Sequence, residues 1–141
     1  AENNGMLYHE RGRGIVAKHG QKVIVDHAGD KWFTGTTGPV QEIKLQEWNT
    51  FEVIAKGNKL IHKLNGKVCA EIIDHHEAGR LMKGIVALQV HRGPAMRVQV
   101  KDIELQRLPA GGVLSLTDAP IPANAEKVPG RKPRVRPKKK K

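Results

Sequence analysis

Two closely spaced hairpin turns constrain this chain more than any other feature of its sequence. The first is Gly57-Asn58, which lies between strand-like runs at Trp48–Lys56 and Lys59–Leu64, and the second is Asn65-Gly66. Turn residues that accept positive φ, set between alternating apolar and polar residues, are the strongest short-range signal for a β-hairpin. The stretch therefore predicts antiparallel strands that hold polar side chains on a rigid sheet.

The rest of the body shows the same period of two. Further strand-like runs lie at Met6–Arg11, Gln21–Asp26, Lys67–Ile73, Gly84–His91 and Met96–Leu105. In the last run the apolar phase slips by one residue, which predicts a β-bulge near Lys101-Asp102. Since no segment sustains a helical period, we expect an all-β, antiparallel sandwich.

Three local expectations follow from these patterns. Val86, Leu88 and Val90 should point into a core, with Gln89 and His91 on the opposite, more open face. His27–Leu45 should be a long loop in which Trp32 and Phe33 form an apolar plug or a sugar platform, and the plug is favoured. Asp74–Lys83 should be a polar, solvated stretch that includes His75 and His76, with room for one helical turn.

The positive charge of the chain is concentrated at one end. Of a formal net charge of +11 over 141 residues, +7 lies in 109–141, which has nine basic and two acidic residues and six of the eight prolines. The high isoelectric point is therefore mainly a property of this tail and does not indicate a nucleic-acid-binding fold. We predict a body at 1–108 and an extended tail in which Gly111–Lys141 makes few contacts with the body and attracts polyanions or a partner chain.

Composition excludes several classes of protein. The longest apolar runs are too short to span a membrane. The single cysteine, Cys69, excludes an internal disulfide, and its apolar context predicts a buried thiol. Seven histidines invite a metal hypothesis, but none has the spacing of a helical zinc motif. We expect no cofactor, with a divalent metal as the less favoured alternative.

A set of polar residues on or beside the predicted strands carries the chemistry that the body offers. It consists of Tyr8, Glu10, Arg11, Arg13, His62, Lys63, Gln89 and His91. Histidine and glutamate exchange protons, arginine binds hydroxyl or carboxylate oxygens, and glutamine both donates and accepts hydrogen bonds. A salt-linked outer face of a sandwich is the alternative interpretation of these residues.

Three motifs resemble the 3-keto-disaccharide hydrolase domain family. They are LYHERGRGIVAKHGQKV at Leu7–Val23, EWNTFEVIAKGNKLIHKLNGKV at Glu47–Val68 and GIVALQVHRGPAMRVQVKDIELQRL at Gly84–Leu108. The resemblance implies a concanavalin A-like, jelly-roll sandwich of the lectin and glucanase kind, in a periplasmic or secreted protein. A full family domain carries several strands ahead of the first motif, so this chain resembles the C-terminal part of such a domain.

The implied activity is cleavage of glycosides already oxidised to a ketone at the third sugar carbon. The resemblance supports the polar set as a group, with His91 or Glu10 as base and Tyr8 or His62 as acid. Arg11, Arg13 or Lys63 would stabilise the enolate, and Gln89 would bind substrate. Two alternatives stay open, because this fold also serves non-catalytic carbohydrate binding or scaffolding, and because the tail alone could make this a polyanion-binding protein.

Overall fold

The computed structural model describes residues 3–88, 93, 95 and 97–128. Its strands are β1 (Leu7–His9), β2 (Gly14–Ala17), β3 (Gln21–Val25), β4 (Lys31–Thr36), β5 (Phe51–Lys56), β6 (Lys59–Leu64), β7 (Lys67–Asp74) and β8 (Glu126–Val128). Strands β1 and β2 form a two-stranded sheet, and the other six form one sheet in the order β5-β6-β7-β3-β4-β8. The described residues include no helix, so the predicted all-β class is confirmed.

Both predicted hairpin turns are present. Strand β5 pairs with β6 and β6 pairs with β7, both antiparallel. Gly57 has a φ of 56°, and Asn65 and Gly66 have φ values of 51° and 78°. Two successive positive φ values are the requirement of a type I′ turn, which explains why Asn-Gly occupies the second site.

One strand pair departs from the antiparallel pattern. Strands β3 and β7 run parallel, with Val23 opposite Ile72. They occupy the centre of the large sheet, and the residues that they bury, Val23, Val25, Ala70 and Ile72, lie on one face of it. The remaining pairs are antiparallel.

The β1–β2 hairpin covers one face of the large sheet and creates the core. Its Val16 and Ala17 pack against Val23, Val25, Ala70 and Ile72. Two stacked sheets with an apolar layer between them form a sandwich. Cys69 is fully buried beside this layer, as its apolar context predicts.

The opposite face of the large sheet is covered by ion pairs. Glu71 on β7 contacts Lys59 on β6 at 2.6 Å and Lys22 on β3 at 3.9 Å, and Lys63 contacts Glu52 at 3.1 Å. Alternation along each strand directs these side chains away from the β1–β2 hairpin. The salt-linked outer face therefore exists, and Lys63 belongs to it.

The strands predicted after Gly84 are wrong for the described residues. Residues 84–88 and 97–108 form no strand. Val86 is 87% exposed and Leu88 is 67% exposed, so the predicted inward face is also wrong. Period-two patterning produces a strand only where a neighbouring strand supplies hydrogen bonds, and these segments have none in the described part of the chain. The predicted β-bulge at Lys101-Asp102 is therefore also wrong, because these residues are not part of a β-sheet. Gln89, Val90 and His91 lie outside the described residues.

Two loop predictions are also wrong. Trp32 and Phe33 lie on β4, which pairs with β3, and the Trp32 indole Nε1 donates to Asp26 Oδ2 at 2.8 Å. The segment after β7 forms a turn with no helix, and His75, expected to be solvated, is only 1% exposed. The loop predicted over His27–Leu45 is wrong only for 31–36, where pairing with β3 overrides the glycine-rich composition, and residues 27–30 and 37–45 do form connections without strand.

The first part of the tail is attached to the body. The side-chain amide of Asn58 binds the backbone of Leu114, and β8 extends the large sheet by pairing with β4. The expectation of few contacts between tail and body is therefore wrong for 112–128. This segment has few apolar side chains to bury, but it is held by hydrogen bonds to its backbone, which do not require them. Residues 129–141 lie outside the described residues.

Candidate functional site

A cavity of about 380 Å³ opens where the β1–β2 hairpin meets the large sheet. Its polar lining comes from Tyr8, His9, Arg13, Asn58, Asp74 and Arg80, and its apolar lining from Leu7, Val16, Ala55, Leu60, Leu81 and Met82. A concave site with an apolar wall and a few convergent polar groups has the general character of a small-molecule pocket. Its volume falls in the usual range for such sites.

An ion pair joins the two sheets at this cavity. Arg13, in the β1–β2 turn, donates from Nη1 to Asp74 Oδ1 at 3.0 Å and from Nη2 to Asp74 Oδ2 at 2.7 Å. Asp74 ends β7, and its side chain is only 5% exposed. A bidentate pair of this kind fixes both orientation and position, so the guanidinium plane is rigid.

The same guanidinium determines which nitrogen of His9 carries a proton. Arg13 Nε donates to His9 Nδ1 at 3.2 Å. Arginine does not deprotonate in proteins, so Nδ1 must be the acceptor and must carry no proton. In this arrangement Nδ1 accepts, and the hydrogen on Nε2 is the one that the ring can donate to a bound oxygen.

Asn58 forms a second junction beside the cavity. Its Nδ2 donates to the Leu114 carbonyl at 3.0 Å, and its Oδ1 accepts from the Leu114 amide at 2.8 Å. Nδ2 also lies 3.4 Å from Nδ1 of His75. Because Nδ2 of Asn58 can only donate, Nδ1 of His75 must accept this hydrogen bond. The other ring nitrogen of His75, Nε2, is buried and has no hydrogen-bond partner among the described residues. Burial lowers the pKa of His75 and keeps its ring neutral.

The charges around the cavity leave an excess of positive potential. Arg80 lines it and donates to the Asp74 backbone carbonyl at 3.1 Å. Lys31, behind the cavity, is 5% exposed and donates to the Ile15 carbonyl at 2.7 Å. Burial and, second, the neighbouring Arg13 lower the pKa of Lys31. Two lining guanidinium groups face one lining carboxylate, and Glu77, which pairs with Arg80 at 3.3 Å, is 79% exposed and outside the lining. The lining itself therefore carries a net positive charge that favours a developing negative charge.

The sequence-predicted site residues fall into four pairs. Tyr8 and Arg13 line the cavity together, and Tyr8 is 40% exposed. Glu10 and Arg11 lie next to them in the exposed β1–β2 turn. His62 and Lys63 point to opposite faces of β6, with His62 buried against the Gly5 carbonyl at 3.1 Å. Gln89 and His91 lie outside the described residues.

Sequence reasoning missed four polar lining residues: His9, Asn58, Asp74 and Arg80. Asp74 had a usable signal, since it is a carboxylate that directly follows the apolar pair Ile72-Ile73 at the end of a strand. Asn58 was identified only as a turn residue, although Asn side chains commonly bind backbone groups near turns. His9 and Arg80 had no sequence signal of their own. His9 is linked to Asp74 only through Arg13 in the β1–β2 turn, and Arg80 reaches the Asp74 carbonyl through the local turn after β7.

Two further observations bear on the chemistry of the described residues. Among them, no three histidine, cysteine, aspartate or glutamate side chains are grouped as ligands for a metal ion. Nor does this part of the chain contain a helix long and apolar enough to cross a membrane.

The fold is that of a β-sandwich domain with a cavity at the junction of its two sheets. Comparison with known families specifies the class further. The model of the 3-keto-alpha-glucoside-1,2-lyase-like domain matches residues 1–106, and the chain belongs to this family. Neither the curated proteins nor the solved structures that were searched contain a match.

Proposed function

We propose that the cavity binds a 3-keto-glycoside and cleaves it by elimination followed by addition of water. The ketone at the third carbon acidifies the hydrogen on the second carbon. A base removes that proton, the electron pair forms an enolate, and the enolate expels the anomeric substituent, whose oxygen takes up a proton. Water then adds to the resulting double bond and releases the free keto sugar.

One observation carries this proposal. The hydrogen-bonded chain Asp74–Arg13–His9 holds an imidazole and a guanidinium in the lining of a cavity of sugar size. Enolate formation places negative charge on the ketone oxygen, and donors held in advance at that position stabilise the transition state. His9 Nε2–H is our assignment for this donor. The family name, which refers to a 1,2-lyase acting on a 3-keto-glucoside, agrees with elimination across those two carbons.

The proton-transfer roles rest on neighbouring residues. Tyr8 lines the cavity, and its phenol can give a proton to the departing oxygen. Asp74 is unsuited to the role of base, because Arg13 occupies both of its oxygens. Glu10, one residue beyond His9, and His91 remain our two candidates for the base.

Cleavage of a synthetic 3-keto-glucoside with a chromogenic leaving group tests the proposal. We expect turnover by the full chain, and a slower rate when the second carbon carries deuterium, because that bond breaks in the first step. His9→Ala should lower kcat about a hundredfold. Lys22→Ala, on the outer face, is the matched control and should retain the full rate. The mechanism would be overturned if the full chain showed no turnover. It would also be overturned if the deuterated and ordinary substrates reacted at equal rates and the His9→Ala variant kept the full rate.

A further inference from the structure

A second cleft lies at the opposite end of β5 from the cavity. It has a volume of about 340 Å³ and is lined by Gln46, Glu47, Trp48, Arg97 and Gln99. The first cavity adjoins Gly57 at the end of β5, whereas Trp48 precedes the strand's first residue, Phe51. A six-residue strand separates the two by about 20 Å. The cleft therefore belongs to a different part of the surface.

An exposed indole forms one wall of this cleft. Trp48 is 55% exposed, although large aromatic side chains usually bury most of their surface. Lys101 Nζ lies 4.6 Å from the centre of its ring. At an exposed site such a cation–π contact contributes little, so a ligand can share the ring with Lys101 or displace it.

The loop that carries Trp48 is held rigidly. Asn49 Oδ1 accepts from the Lys44 amide at 2.9 Å, and Asn49 Nδ2 donates to the Lys44 carbonyl at 2.9 Å and the Glu47 carbonyl at 3.1 Å. Asn65 Nδ2 donates to Asn49 Oδ1 at 3.0 Å and so anchors the loop to the β6–β7 turn. The indole is thus positioned before any ligand arrives, which lowers the entropic cost of binding.

The polar groups beside the indole match hydroxyl groups. Gln46 and Gln99 each offer a donor and an acceptor, Arg97 only donates and Glu47 only accepts. The charges of Glu47 and Arg97 cancel, and the charge of Lys101 over the indole is offset by Asp102 at 3.7 Å, so the cleft does not favour a strongly charged ligand. A pyranose ring has C–H bonds for the electron-rich face of an indole and hydroxyls that both donate and accept. A purely apolar ligand would leave these four polar groups desolvated without partners.

We infer that the Trp48 cleft is a non-catalytic binding site for a neutral pyranose. It would hold an unreacting part of a glycan or a separate sugar, and it requires no keto group. The site is independent of the proposed cleavage, because none of its five lining residues contributes to the first cavity.

The test uses the full chain carrying Trp32→Phe, so that Trp48 is the only one of the two tryptophans left to report by fluorescence. The probe is methyl glucoside, which lacks the ketone and cannot enter the elimination. We expect a saturable change in Trp48 emission. Arg97→Ala and Gln99→Ala should each raise the dissociation constant about tenfold, the loss expected for a hydrogen bond to a charged or well-oriented partner.

Arg107→Ala is the matched control, since it removes an exposed arginine from the same segment outside the cleft. It should leave the dissociation constant unchanged. Emission that does not respond to methyl glucoside, or equal dissociation constants for Arg97→Ala and Arg107→Ala, would overturn the inference. Tighter binding of glucuronate than of methyl glucoside would also overturn it, because the site would then select a charged sugar.

Discussion

Arg13 and Asp74 are 61 residues apart in the chain and form a bidentate ion pair with N–O distances of 3.0 and 2.7 Å. The pair links the turn of the small hairpin to the last residue of β7 in the large sheet. It therefore has two roles, because it holds the two layers together and it sets the orientation of His9. These roles can be separated by substitution.

Arg13→Lys keeps the positive charge but removes the planar fork and the Nε donor. We expect a loss of about 1–3 kcal/mol in the free energy of unfolding, measured by urea denaturation. The His9 ring should also lose its fixed tautomer, which nitrogen chemical shifts of labelled histidine report directly. If Arg13→Lys preserves a single His9 tautomer with hydrogen on Nε2, then Arg13 does not control it.

Asn58→Ala should detach the 112–118 segment from the sheet. The substitution removes both hydrogen bonds from the Asn58 side chain to Leu114. The backbone amide and carbonyl of Leu114 then lose that partner. We expect faster hydrogen exchange at Leu114 and a loss of about 1–3 kcal/mol in stability. Gln41→Ala serves as a control, because its side chain binds only the nearby Pro39 carbonyl in an exposed loop. Unchanged exchange at Leu114 would show that other contacts hold the segment.

Gly57→Ala and Gly66→Ala form a matched pair. Both glycines have positive φ, at 56° and 78°, so each substitution should cost about 1 kcal/mol in backbone strain. A Cβ at Gly57 would also collide with the backbone of Gly112, whereas a Cβ at Gly66 has open space. Gly57→Ala should therefore be the more destabilising in thermal unfolding. Equal losses would indicate that Gly112 moves aside without cost.

Stability should fall as the pH drops below 6.5. Burial lowers the pKa of both His62 and His75 from the ordinary value of 6.5, so the folded state keeps these rings neutral. Below pH 6.5 the unfolded chain binds more protons than the folded chain, and the free energy of unfolding decreases until the pH reaches the lowered pKa values.

Urea denaturation over a pH series measures this slope. His75→Asn should reduce the slope, since one of the two buried imidazoles is then absent. A free energy of unfolding that stays constant below pH 6.5 would contradict the assignment of these histidines as buried and neutral.

Removal of 129–141 tests the polyanion prediction. This segment contains eight basic residues and no acidic ones. Truncation after Val128 keeps β8 and its pairing with β4, so the fold of the described part should be unaffected. We expect the full chain to be retained on heparin at low salt and released steeply as salt rises, and the truncated chain to lose most of that retention. Equal retention of both chains would place the polyanion-binding surface in the body.

Local sequence patterns were sufficient for the central meander. Alternation and the Gly57-Asn58 and Asn65-Gly66 turns predicted β5, β6 and β7, because turn chemistry and side-chain period act over only a few residues. The same short-range rules predicted a buried Cys69 and the all-β class. The family resemblance read from three motifs was confirmed by the match over residues 1–106.

Tertiary structure alone decided the rest. The parallel pairing of β3 with β7 joins residues about 50 positions apart, and no local pattern encodes such a partner. The apolar alternation at 84–88 did not become a strand, since patterning cannot supply a neighbouring ladder. The candidate site arose in the same way, because Asp74 meets the Arg13–His9 pair of the small hairpin only where the two sheets are stacked. The sequence shows residue types but not this convergence in space.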